Sequence, residues 1–128
     1  MPRGCIAIAW NGSAEAVRAL HSALPLLHHA SSIVLLDGPR RAPEIEMGWL
    51  PPFDVLAWLA QHDVRVTVKP ILAPDDRAGE AILAAAGEVG ADLLVMGAYG
   101  RSRFSEWAFG GVTRTVLHEA TLPVLMRN

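Results

Sequence analysis

The sequence predicts a doubly wound parallel α/β sheet, and three observations lead there. Short apolar runs of strand length recur at residues 5–10, 33–36, 92–96 and 122–127, separated by segments with helical spacing of apolar side chains. A fifth run, 64–69, alternates Val64, Val66 and Val68 with Arg65, Thr67 and Lys69, the pattern of a strand with one wet face and so of a sheet edge. The fourth run leads into a glycine-rich loop and then a helix. Strands linked by helical crossovers build parallel sheets with helices on both faces.

The elements follow in order. Residues 5–10, CIAIAW, form a buried strand that stops at the turn cluster Asn11-Gly12-Ser13. From Ser13 to about His29, Val17, Leu20, Leu24 and Leu27 recur at helical spacing, and Pro25 should bend that helix without ending it. A second strand, 33–36, closes at Asp37-Gly38-Pro39. Residues 40–52 lack periodicity and are expected near the ligand, as a lid or as a plain connector. A helix over 53–61 precedes the alternating strand. Asp75 and Asp76 are placed to cap an Ala-rich helix, 77–89, that Gly90 ends. A last helix, 112–120, precedes the final strand, whose outer edge invites pairing.

Composition narrows the function. With 128 residues, 52% of them apolar and 19% charged, the chain reads as one domain over 1–128 with a substantial core. The formal net charge is −2 and the basic residues are scattered, so nucleic acid is not an expected partner. No apolar run approaches the ~20 residues that span a membrane, and residues 1–5 carry no secretory cleavage pattern, so the expected location is cytoplasmic. Cys5 is the only cysteine and is expected to be buried and inert.

The five histidines show no metal-ligand spacing with carboxylates or the cysteine. Ser102 and Ser105 lack a paired His and Asp, so no catalytic set stands out. Trp107 and Phe109 read as packing residues.

The chemistry lies in the loop GAYGRSRFSEWAFGGVT, 97–113. Glycines let a backbone approach a ligand closely, and the N–H groups of a helix N-terminus stabilise anions. The loop is neither a P-loop, which needs Lys-Ser/Thr after its last glycine, nor the GxGxxG fingerprint.

Its spacing, Gly97-x2-Gly100-x9-Gly110-Gly111-Val112-Thr113 followed by Leu122-Pro123-Val124-Leu125, closely resembles the closing segment of ATP-binding universal stress proteins. The stretch AWNGSAEAVRALHSALPLL resembles the first strand and helix of the same family. The resemblance implies a single universal stress protein domain with a Rossmann-like, adenine nucleotide alpha-hydrolase-like fold and strand order 3-2-1-4-5. It implies a stress-response regulatory protein that binds ATP or another adenine nucleotide, with or without Mg²⁺.

By that resemblance the backbone amides of Gly97, Gly100, Gly110 and Gly111 would hold phosphates, with Arg101 or Arg103 adding charge at the rim. Asn11, Leu36 and Asp37 would face ribose and base, and Ala9, Trp10, Met96, Tyr99, Val112 and Thr113 complete the expected binding set. The chain departs from the family at two places. Gly111 stands where the family has Ser or Thr, and Asn11 where it usually has Asp, and a second reading of Asn11, as shaping the turn or capping the helix, stays open. The family also implies a two-fold homodimer through residues 122–127. Two further readings stay open: a dimeric interaction protein without nucleotide, and a slow ATPase with at most weak hydrolysis.

Overall fold

The computed structural model describes residues 4–38, 54–74, 77–97 and 110–127. The elements run β1 (Cys5–Trp10), α1 (Ala14–Leu27), β2 (Ser32–Asp37), α2 (Val55–Gln61), β3 (Thr67–Pro70), α3 (Ala78–Glu88), β4 (Leu93–Gly97), α4 (Gly110–Glu119) and β5 (Val124–Arg127). The five strands form one parallel sheet in the order β3-β2-β1-β4-β5.

Side-chain alternation in β1 explains the layers. Ile6, Ile8 and Trp10 pack with Ala16, Ala19, Leu20, Ala23 and Leu27 of α1 and with Val55 and Leu59 of α2. Ala7 and Ala9 point the other way, into a core shared with Ile82, Ala85 and Ala86 of α3 and Val116 of α4. The chain winds outward from β1 through β2 to β3, then returns across the sheet to β4. With right-handed crossovers that reversal moves α3 and α4 to the opposite face.

The helices show which sequence signals set their ends. Ser13 caps α1, its Oγ accepting from the Ala16 N–H at 3.2 Å. Pro25 does not end α1, which continues to Leu27. The buried stripe of α1 is centred on alanines, with Val17 and Leu24 at its flanks, partly buried. Small side chains let the helix lie close to the sheet, a contribution that the spacing of large apolar residues alone understates.

Asp54 caps α2, its Oδ1 accepting from the Ala57 N–H at 3.0 Å. That helix ends with Asp63 at φ 61°, while Val64 N–H bonds to Leu59 O at 2.9 Å. Trp58 of α2 stands between His21 and His62, with ring centroids 4.8 and 4.4 Å away, and joins α2 to α1.

Three expectations shift. The third strand, expected over 64–69, occupies Thr67–Pro70, because the strand needs a partner and β2 supplies rungs only from Val34↔Thr67 to Asp37↔Pro70. It is an edge strand as expected, and Val68 on it is 39% exposed. The first residue of α3 follows Arg77, which makes no side-chain cap bond, and Asp75 and Asp76 lie outside the described residues. Cys5 is half-buried, since it begins β1 at the open end of the sheet. Its N–H donates to Asp92 Oδ2 at 2.9 Å, and the Asp92 N–H donates to Cys5 O at 2.7 Å.

Among the described residues no helix is long and apolar enough to cross a membrane.

Candidate functional site

At the C-terminal end of the sheet two neighbouring strands part. The β1–β4 ladder runs from Ile6↔Leu93 to Ile8↔Val95. On either side the pairing goes further, to Trp10↔Asp37 between β1 and β2 and to Gly97↔Arg127 between β4 and β5. The split coincides with the reversal of winding direction. Open α/β sheets carry their ligand crevices at that point.

The β1 wall is well defined. Trp10, 3% exposed, belongs to the core on the α1 face, and its carbonyl accepts from the Gly38 N–H at 2.9 Å, which joins the ends of β1 and β2. Asp37 O in turn accepts from the Ile71 N–H at 2.9 Å, so the end of β3 is tied to the same rim. Asn11 begins the turn into α1. Its Oδ1 accepts from the Ser13 N–H at 3.0 Å, and Gly12 follows with φ 79°. One acceptor of Asn11 therefore shapes the turn, the local role that Asx residues commonly play.

The β4 wall is set by close packing. A Cβ at Gly97 would stand 2.6 Å from Ala16 N, 2.7 Å from Glu15 C and 2.8 Å from Glu15 Cβ. The backbone of β4 thus lies directly against the first turn of α1. Glu15 is 8% exposed there, and its Oε2 is 3.6 Å from Arg18 Nη2. Neither this contact nor the burial of Glu15 is visible in the local sequence, because both depend on how α1 crosses β4.

The structure distributes the expected binding residues unevenly. Ala9, Leu36 and Met96 are buried in the core on the α3/α4 face, so their side chains are committed to packing. Asn11, Asp37 and Gly97 stand at the strand ends that flank the split. Gly110 and Gly111 open α4, Val112 packs on the α3/α4 core, and Thr113 is 4% exposed. Tyr99, Gly100, Arg101 and Arg103 lie outside the described residues, as do residues 40–52 and the lid expected there. Among the described residues no three His, Cys, Asp or Glu side chains are grouped to hold a metal ion.

Fold and split together define a doubly wound α/β protein whose first and fourth strands part at the switch point. The profile described as the Universal stress protein family matches residues 52–127, and the chain belongs to that family. No curated protein matches it by sequence.

Solved structures with the same fold include a universal stress protein from Archaeoglobus fulgidus, 18% identical with a TM-score of 0.68, which covers 98% of this chain; this chain spans 44% of that one. A universal stress protein in complex with cAMP is 18% identical with a TM-score of 0.66, covering 100% of this chain and 99% of the other. A universal stress protein family member from Arabidopsis thaliana with AMP bound is 21% identical with a TM-score of 0.59, covering 98% and 92%.

Proposed function

We propose that this universal stress protein is a regulatory protein that binds an adenine nucleotide, ATP or a shorter one, in the crevice between the ends of β1 and β4. The observation that carries the reading is the parting of those two strands beyond Ile8↔Val95, at the reversal of winding. The relatives solved with cAMP and with AMP support an adenine nucleotide as the ligand class.

Charge suggests the orientation. Asp37, at the end of β2, is acidic and would repel phosphate on that side of the crevice. The phosphates then belong toward Gly97, Gly110 and Gly111, with Arg101 or Arg103 at the rim and the helix N-terminus of α4 beneath. Ribose and base belong toward Asn11 and Asp37, which offer acceptors for hydroxyl and amino groups.

Calorimetric titration of ATP with Mg²⁺, and separately of AMP, into nucleotide-stripped protein tests this. Saturable micromolar binding of at least one nucleotide is the expected result. A folded protein that takes up neither removes the reading.

A homodimer through β5 is the second part of the proposal, and the contrast between the two sheet edges favours it. The β3 edge carries Lys69 and Pro70, residues that discourage further strand pairing. The β5 edge carries Val124, Leu125 and Met126, with both faces packed: Leu125 joins the α1-side core, and Val124 and Met126 the opposite one. Light scattering at micromolar concentration should give twice the chain mass of 13.8 kDa. A monomer mass would exclude the dimer.

A further inference from the structure

Two glycines of α3 occupy opposite surroundings. Around Gly87 a Cβ would meet nothing within 4 Å. At Gly79 a Cβ would stand 2.9 Å from Thr115 Cβ, 3.1 Å from Thr115 Cγ2 and 3.3 Å from Val112 O. A glycine inside a helix is destabilising relative to alanine. At Gly87 nothing in space offsets that cost, whereas at Gly79 the missing side chain lets α3 and α4 approach closely.

The partners of Gly79, Val112 and Thr115, are the third and sixth residues of α4. Val116, which follows Thr115 and lies one turn beyond Val112, is fully buried in the core with Ile82, Ala85 and Ala86 of α3. Gly79 therefore lies against α4 from Val112 to Thr115, on the N-terminal side of the Val116 anchor. A Cβ at residue 79 would push Val112 and Thr115 away from α3 while Val116 stays anchored. The result would be a swing of the N-terminal turn of α4.

We propose that Gly79 is a positioning residue for that turn: the contact of Gly79 with Thr115 and Val112 sets where the backbone N–H groups of residues 110–113 stand relative to the crevice. Its effect on ligand rests on the nucleotide reading above, since Gly79 is placed to act through α4. Hydrogen bonds to charged oxygens are short and directional, so displacement of the turn weakens them.

The test compares Gly79→Ala, Gly87→Ala and the double variant Gly79→Ala/Thr115→Gly. AMP and ATP with Mg²⁺ are titrated into each, and amide hydrogen exchange at residues 112–116 is followed in the nucleotide-free proteins. Gly79→Ala should weaken binding on the order of tenfold, the scale of one charged hydrogen bond, and speed exchange at 112–116. Gly87→Ala should leave affinity and those amides unchanged while raising the thermal midpoint.

The double variant should recover most of the affinity although its added helical glycine lowers the midpoint. A purely structural role would not separate those two readouts. Parental affinity together with parental exchange in Gly79→Ala overturns the inference, as does failure of Thr115→Gly to rescue a Gly79→Ala protein that does not fold. If the parent binds neither nucleotide, the reading of the site fails separately, and exchange at 112–116 alone decides whether Gly79 places α4.

Discussion

Gly97→Ala is expected to lower the stability of the nucleotide-free protein by about 3 kcal/mol, with a fall in thermal midpoint on the order of 10 °C. The cause is space. The added methyl would fall 2.6 Å from Ala16 N and 2.7 Å from Glu15 C, both backbone atoms that no rotamer change can withdraw. To admit it, either α1 must lift off β4 or the end of β4 must leave its pairing with Arg127, and both Ala16 and Val95 are buried in the core those elements share. Backbone conformation is not the issue, since Gly12 and Gly90 are the glycines with positive φ among the described residues.

Thermal unfolding without ligand measures the effect, and a Gly97→Ala protein as stable as the parent would show that the contact is not limiting. The consequence for the site is practical. Loss of nucleotide binding in a Gly97 variant cannot by itself be assigned to a lost phosphate contact, because the same substitution strains the β4–α1 junction.

Much of the fold was legible because its signals are local. The run CIAIAW, closed by Asn11-Gly12-Ser13, marks β1 with both its boundaries, and Ser13 is the helix cap that its place before an apolar stripe suggests. Asp54 carries the same kind of signal before Val55, and it sets the start of α2 later than the bare spacing of apolar side chains does. Alternation does not set the start of β3, because it reports an extended, half-wet segment, while a strand also requires rungs on a neighbour. Val64 instead bonds back to Leu59 and closes α2.

The long-range contacts were beyond local reading. Asp92 reaches Cys5 across 87 positions of sequence, and the close approaches at Gly79 and Gly97 depend on helices crossing elements far along the chain. The candidate site shows the same division. Its glycine spacing identifies the family, whereas the burial of Glu15, the use of Asn11 Oδ1 by Ser13 and the packing role of Gly97 come only from assembly.

Gly111→Ser should tighten ATP binding roughly tenfold, if the crevice holds nucleotide phosphates at the start of α4. Gly111 is the second residue of α4, in the turn whose N–H groups face outward from the helix. A serine hydroxyl there can donate to a phosphate oxygen, and a hydrogen bond to a charged group contributes about 1.5–3 kcal/mol, part of which desolvation removes. Thr113 is a poor substitute for that hydroxyl, because it is only 4% exposed.

Gly111→Ala supplies the control, since it brings a gain in helix propensity of up to about 1 kcal/mol, larger than that of serine, without the hydroxyl. Both variants should therefore melt higher than the parent, and only the serine variant should gain affinity. The gain should appear with ATP and vanish with adenosine, which has no phosphate to receive the bond. Equal ATP affinity in the serine and alanine variants would place the phosphates away from Gly111, and an equal gain for adenosine would trace the effect to α4 stability.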